Sequence, residues 1–482
     1  MYLEELAAAL GPKQVLFLSQ DDKARVPIGK TAANKQTPLL MHLDYRIRLP
    51  DHDWVVADKH KLIPSVYAVI NITENRIGDP KAVTYSGPTF IRIRSGKHSG
   101  STAYSHAKDF QEIIKCDDLA EYCRDDAGYC KPIVMIVVDG GPDENPRYEK
   151  VINTAISNFI EYKLDAIFIA TNAPGRSAFN RVERRMAPLS RDLAGLVLPH
   201  DHFGSHLDDH GKTVDPELEK ENFAHAGQVL AEIWSDKIID GYPTLAKYVD
   251  PADSEVEEGM LLKGSPGWRI RHVRESHYMV QIVKCSNADC CSSPRSNYFK
   301  IMKQFVPAPL SISQKKGLDI IPDDKESFPS LFFRLAINDN GLKLGSNQEV
   351  PFDYCCPSVR DIISQRTCAK CGIYHGSIKS LKLHEKECKM DQPALVKIGL
   401  SAACKPTNIR PVRVAARRQK EKMIIWKSRL NDEHVDWFDD EDISTEEIPG
   451  PPCDTIENET QDSIPIIDIN TLMSNPWTED DN

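Results

Sequence analysis

No stretch of this 482-residue chain is apolar for long enough to cross a bilayer as a helix. Its opening, MYLEELAAALG, is acidic and only briefly apolar, unlike a secretory leader. An intracellular protein without a membrane partner is therefore expected. Internal repeats are missing, which argues against solenoid and propeller architectures. Cysteine is too sparse for a disulfide scaffold, with 13 in the whole chain. Most of them fall in close pairs beyond residue 284, and in a reducing compartment such pairs usually hold zinc.

Positive charge is missing from one segment alone. Residues 430–482 contain no Lys or Arg and 17 of the 71 acidic side chains. The net charge of −11 therefore belongs to this tail, because the other 429 residues set all 60 bases against 54 acids. The body is mildly basic and suits a nucleic-acid partner. The tail is acidic, proline-containing and aperiodic, so it is expected to stay disordered and to offer a surface for protein partners. Just before it, residues 405–429 carry nine Lys or Arg and one Glu. That density fits nuclear import or phosphate contact, and equally a solvated basic linker.

What is present is an alternation of strands and helices. Apolar or β-branched runs at 14–20, 63–74, 88–94, 133–138 and 165–170 read as strands. Helical patterns occupy 99–115, opened by a Ser/Thr cap, and 145–164, with Pro146 at its start. Further helices are expected over 177–196, interrupted near Pro188, and over 215–236. This order predicts an α/β fold, with a mixed, partly parallel sheet covered on both faces and ending near residue 200. Residues 266–284 look extended, and the chain from Cys285 to Cys388 is cysteine-studded and rich in turns.

Three acidic residues stand where buried runs end. Asp21 follows VLFLSQ, Asp139 follows IVMIVV, and Glu183 lies in AFNRVERRM, shortly after DAIFIA. Carboxylates at strand ends sit on rigid elements at the open edge of a sheet. Three that converge can hold a pair of Mg²⁺ or Mn²⁺ ions about 4 Å apart, the spacing used to break or join phosphodiesters. Asp22 and Asp143 are the neighbours that compete for these roles. Lys23 and Arg184 are candidates for phosphate neutralisation, or simply solvated charges.

The phrases SQDDKARVPIG, VVDGGPDENPR and AFNRVERRM resemble those of DDE transposases and integrases, closest to mariner-like and insertion-sequence enzymes. The resemblance covers about residues 14–200. It implies a ribonuclease-H-like catalytic domain, with Asp21, Asp139 and Glu183 as the carboxylates and Asn180 as the motif's asparagine. The 43-residue gap between Asp139 and Glu183 lies in the family's range. Arg181 stands where the family usually has proline. The helix-turn-helix region that such enzymes place ahead of the first strand is not found before residue 14.

The sharpest local pattern is Cys368-x₂-Cys371-x₁₂-His384-x₃-Cys388, the spacing of one zinc finger with a cysteine fourth ligand. Leu381 falls at the core leucine position and His375 at the aromatic one. The positions that would face bases, Ser377, Ser380 and Leu383, make no bidentate contact. Docking, or weak phosphate binding through Lys379, Lys382 and Lys386, is therefore the expected role. A second zinc set is expected from Cys285 and Cys290 (or Cys291) with Cys355 and Cys356, buried free thiols being the equal alternative. Cys116, Cys123 and Cys130 read as ordinary thiols.

The expected organisation is a catalytic domain over 12–212, a helical and extended Cys-containing region over 213–350, and a finger region over 351–392. A basic linker over 393–429 and the acidic tail over 430–482 complete it. The leading expectation is a nuclear, transposon-derived protein using Mg²⁺ or Mn²⁺ to cut and transfer DNA strands, with zinc in its C-terminal region. A second is a catalytically silent nuclear protein that binds DNA or protein through the same modules. A third, weaker one is a zinc hydrolase using His200, His202, His206 and His210, for which a solvated loop is the plainer account.

Overall fold

The apolar run at Val15 becomes strand β1 (Val15–Asp22), the middle of a ten-stranded sheet. Val15 and Phe17 enter the core on one face, and Leu16 and Leu18 enter the core on the other. The computed structural model describes residues 2–32, 55–74, 76–172, 179–310, 312–313, 319–320, 328–336, 350–354 and 356–388. The basic segment and the acidic tail lie outside these residues.

After β2 (Val26–Pro27), strands β3 (Lys61–Val69) and β4 (Thr89–Ser95) run antiparallel to their neighbours, β3 against β1 and β4 against β3. On the other side of β1, β5 (Ile133–Val138) pairs parallel to it and β6 (Ala166–Thr171) parallel to β5. The sheet does not end near residue 200. β7 (Ile238–Ile239) and β8 (Tyr242–Tyr248) extend it beyond β4, and β9 (Val273–Glu275) and β10 (Met279–Val283) extend it beyond β6. The boundary expected at residue 212 thus falls between strands of one sheet. β7 and β8 were hard to read because YPTLAKY carries no apolar run, whereas β9 and β10 lie in the stretch read as extended.

Helices cover both faces, as a partly parallel sheet requires. α1 (Tyr2–Leu10), α5 (Glu183–Asp192) and α6 (Pro216–Ser235) bury Leu6, Leu189 and Trp234 against one face. α2 (Ala103–Lys115), the short α3 (Ala120–Cys123) and α4 (Glu149–Glu161) bury Phe110, Cys123 and Ile152 against the other. Thr102 caps α2 through a reciprocal bond with Ser105, as the Ser/Thr signal implied. α4 begins three residues after Pro146, because a hydrogen-bonded turn occupies 141–148 first. The stretch read as extended over 266–284 is helical at its start, α7 (Pro266–His272), before β9 and β10. The short α8 (Tyr298–Ile301) and α9 (Leu331–Ala336) return to the first core, and α10 (Ile378–Glu387) lies in the cysteine-rich region.

A buried ionic knot joins α2 to the sheet. Asp109 accepts from Arg94 and from the Tyr67 hydroxyl, each at 2.6 Å, with all three side chains out of solvent. Removing one partner of a buried pair leaves the other uncompensated, which typically costs about 3–5 kcal/mol. Asp109→Ala is expected to lower the urea-unfolding free energy by that amount, and a loss below about 1 kcal/mol would contradict the reading.

Candidate functional site

Alternation along β1 decides which face each acidic side chain meets. Ser19 and Asp21 continue the side of Val15 and Phe17, while Gln20 and Asp22 continue that of Leu16 and Leu18. In the parallel pairing with β5, Gln20 stands opposite Val138, so Asp139 comes next in line with Asp21. Val137 packs into the same core as Phe17, which puts Asp139, two residues on, toward the face of Asp21. Glu183 is the first residue of α5, and Val182, Met186 and Leu189 pack into that core. The three carboxylates thus stand at one end and on one face of the sheet.

The Ser19 hydroxyl holds α5 in register with β1. It accepts from the Val182 amide at 3.0 Å and donates to the Asn180 side-chain carbonyl. The Asn180 amide in turn donates to the Gln20 carbonyl at 3.4 Å. Just past the end of β5, Gly140 has φ +99°, and a β-carbon there would run into the Thr171 hydroxyl, which donates to the Asp139 carbonyl at 3.0 Å. Arg181 bridges Glu4 at 2.6 Å and the Thr84 carbonyl at 2.9 Å. It ties the start of α5 to α1.

Burial, then the charges of Asp139, Asp22 and Glu183, push the Asp21 carboxyl up to about 7. Burial also raises Asp139. Asp21 therefore feels both companions. Among the described residues, the groups whose donor atoms all lie within 4.8 Å of one another do not include this trio. Carboxylates spread around two ions about 4 Å apart need not meet so closely.

A stability consequence follows, with its sign. An acid raised from 3.8 to about 7 on folding favours the folded state while it is protonated. That stabilisation is full below the unfolded value and is lost as pH rises from about 4 to about 7, up to about 4 kcal/mol. In chelator at pH 8, Asp21→Asn is expected to be more stable than the wild type, with the gap closing by about pH 4. Equal melting temperatures at both pH values would refute the crowding of these carboxylates.

The competing acids form a second group on the opposite face. Asp22, His106 and Asp143 each bring a donor atom within 4.8 Å of the others. His106 Nδ1 donates to the Tyr67 hydroxyl at 2.6 Å, and Nε2 faces Asp143 at 3.4 Å and Glu144 at 3.5 Å. Burial lowers the His106 imidazole, but Asp143, Asp22 and Asp109 outweigh it and raise it overall. Burial and the neighbouring Asp143, Asp22 and Asp21 hold Glu144 well above the carboxylate range. His106 and Glu144 escaped the sequence reading; the available signal was polar residues, His106 and Asp109, on the apolar face of α2.

Of the two phosphate candidates, Arg184 is exposed and stacks over the Tyr85 ring at 4.0 Å. Lys23 is buried, with its ammonium on the Ser190 hydroxyl at 2.5 Å. It is not a free phosphate contact, because its strand register turns it under α5, where burial lowers its pKa despite Glu183 nearby.

Four Cys/His groups were expected or found. Cys368, Cys371, His384 and Cys388 converge within 4.8 Å, with Cys371 Sγ 3.1 Å from His384 Nε2. Ser377 caps α10, and Leu381 is buried beside the cysteines. His375 is buried, with its ring 4.6 Å from that of His384, as the aromatic position implied. Its Nδ1 lies 3.4 Å from Glu275 on β9, which also accepts from Ser380 at 2.5 Å. Ser380 is thus occupied by the protein's own sheet.

The second cysteine set closes differently from expectation. Cys285 and Cys290 meet His272 and Cys291, a group that does not include Cys356. Cys356 bonds to Ser358 at 3.1 Å, and Cys355 lies outside the described residues. Cys123 and Cys130 are plain core thiols.

The His-rich loop divides. His202 and His210 are exposed, as a solvated loop implies, but His206 is buried against His60 and Glu219. Each hydrogen in this group has a destination. Asn222 donates to His206 Nδ1 at 3.0 Å, so His206 Nε2 carries the proton and meets His60 Nε2 at 2.9 Å. His60 Nδ1 donates to the Asp58 carbonyl at 2.9 Å, and Lys97 balances Glu219 at 2.8 Å. The group is a satisfied structural network, which does not favour the zinc-hydrolase reading.

The described residues therefore contain Cys/His groups able to hold zinc and an Asp22–His106–Asp143 group able to hold a divalent cation. In comparison with known proteins, the chain matches no family model, no curated protein and no solved structure.

Proposed function

We propose that this protein is a DDE-transposase-like enzyme that cleaves and transfers DNA strands at Asp21, Asp139 and Glu183. The observation that carries the reading is their common face. They come from β1, the end of β5 and the start of α5, and Asp21 senses the charge of both others. An antiparallel three-strand unit continued by two parallel strands, with helices on both faces, supports the ribonuclease-H-like assignment.

The donors are all carboxylate oxygens, which suits Mg²⁺ or Mn²⁺. Bound there, such ions supply Lewis-acid polarisation of a phosphoryl oxygen and a more acidic water or hydroxyl nucleophile. The chain's own part is to hold these oxygens at fixed depth, with Ser19 and Asn180 setting the start of α5. Asp21 gives up its proton on cation binding, so cation affinity rises with pH through about 7. Arg184, at the rim and flat on Tyr85, offers its guanidinium to a DNA phosphate.

Cys368, Cys371, His384 and Cys388 form a zinc finger in this reading. It docks on the sheet through Glu275 and does not read bases, since Ser377 caps the helix and Ser380 is buried. The basic segment 405–429 supports a nuclear location. The silent binding protein stays as the second reading because Lys23, which an active site would aim at phosphate, is turned inward.

The test is nicking of supercoiled DNA in Mn²⁺ against chelator, together with Mn²⁺ titration of the full chain. Nicking that requires Mn²⁺ supports the enzyme. DNA binding without nicking, and without Mn²⁺ uptake, supports the silent protein.

A further inference from the structure

The second cysteine cluster lies outside the proposed catalytic site and has the shape of a tetrahedral zinc centre. With Zn–S near 2.3 Å and Zn–N near 2.0 Å, tetrahedral ligands sit about 3.8 Å apart for sulfur pairs and about 3.5 Å for nitrogen and sulfur. Cys285 Sγ and Cys291 Sγ are 3.8 Å apart. His272 Nε2 lies 3.2 Å from Cys291 Sγ and 3.7 Å from Cys290 Sγ. A disulfide would need about 2.05 Å, far shorter than the observed separation.

The histidine is prepared for a metal in its second contact as well. His272 Nδ1 donates to the Trp268 carbonyl at 2.7 Å, which leaves the Nε2 lone pair for the thiols. Its ring is also stacked on Trp268, centroid to centroid 4.2 Å. This tautomer argument separates the cluster from the His60 group, where the facing nitrogens already share a proton.

The loop bearing the cysteines is held at both ends by one buried carboxylate. Asp165 accepts from Lys284 at 2.8 Å on one side of the loop, and from the Ser296 amide and hydroxyl, each at 2.7 Å, on the other. The three thiols are therefore gathered by the fold.

We propose that His272, Cys285, Cys290 and Cys291 bind a structural zinc ion that clamps the open end of the β9–β10 hairpin. His272 precedes β9 and Cys285 follows β10, so the ion joins the hairpin's two feet. The same hairpin carries the finger. Glu275 receives Ser380 and His375, the His277 amide donates to Asp353 at 2.6 Å, and Asp353 accepts from Tyr374 at 2.7 Å. The upstream ion thus holds the platform on which the finger rests.

Zinc content of the full chain, measured by atomic emission after growth in zinc-supplemented medium, tests this without DNA. Two zinc ions per chain are expected, falling to one in Cys291→Ser and to one in Cys371→Ser. Faster amide exchange over 273–283 is expected in Cys291→Ser. One zinc in the wild type that Cys371→Ser removes completely would overturn the proposal, as would an oxidised Cys285–Cys291 pair in thiol titration. Should Cys291→Ser not fold, Co²⁺ replacement in the wild type decides. Thiolate-to-cobalt absorption for six sulfurs supports the second site, and absorption for three overturns it. Loss of nicking activity has no bearing on either count.

Discussion

Asp139→Asn is expected to abolish Mn²⁺-dependent nicking, by about 10³-fold or more, while leaving the fold intact. Such a loss corresponds to about 4 kcal/mol of transition-state stabilisation. Asparagine keeps the shape but removes the charge that would face a divalent ion in the proposed site. Its effect on stability is expected to be neutral or favourable, because Asp139 is among the charges that crowd Asp21. A drop in activity with an unchanged or raised melting temperature thus separates lost chemistry from lost folding. Asp143→Asn is the matched control. Asp143 sits with His106 on the other face of the sheet, so its substitution is expected to change nicking by less than about tenfold. If Asp143→Asn silences the protein and Asp139→Asn does not, the catalytic group is the one on the α2 face.

Removing a ligand of the finger gives the second large effect. The unit at 368–388 buries few apolar side chains, Leu381 among them, with Ile373 packed alongside. So few apolar contacts are a small return for ordering the unit, and bound metal, worth about 10–16 kcal/mol in units of this size, would be its largest favourable contribution. Cys371→Ser is expected to unfold this unit, exposing 366–388 to protease and releasing Ser380 and His375 from Glu275. The two cores flanking the sheet contain none of these residues, so the sheet's melting transition should stay in place. Continued protection of 366–388 in Cys371→Ser would show that packing on β9, not metal, folds the unit.

Docking of the 368–388 unit on Glu275 limits what a finger there could do. A helix that reads bases must present its outward positions to a groove. Here Ser377 caps its own helix and Ser380 is spent on Glu275, which leaves Leu383 as the one of the three that faces out. Lys382 and Lys386 are exposed and available to a phosphate backbone. In the proposed reading this unit attaches and positions, with Lys382 and Lys386 adding charge at its rim.

Legibility differed by feature. The five central strands carry long buried runs, and each was visible as such. The expectation for β1 stopped two residues short, because Asp21 and Asp22 look like a turn and in fact still pair with Val66 and Ser65. Capping chemistry located α2 through Thr102, whereas Pro146 suggested too early a start for α4. Of the outer strands, β7 and β8 were not read, β8 (YPTLAKY) having no apolar run, whereas β9 and β10 fell within the stretch read as extended, whose start is helix α7. The 368–388 ligands were legible because their spacing is local. His272 was invisible beside Cys285 because nothing in the sequence marks a histidine thirteen residues upstream as a ligand.

By itself the amino-acid order determined the periodicities, the acidic residues at the ends of buried runs and the close Cys/His spacing, since each depends on neighbours a few residues apart. Only the tertiary structure decided that Asp21 and Asp22, adjacent in the chain, belong to different groups on opposite faces. It also decided that Lys23 turns inward, that His206 is buried in a balanced network, and that Glu275 receives Ser380 and His375. The physical reason is that a pleated strand sends successive side chains to opposite sides, and what each one meets is set by helices tens of residues away.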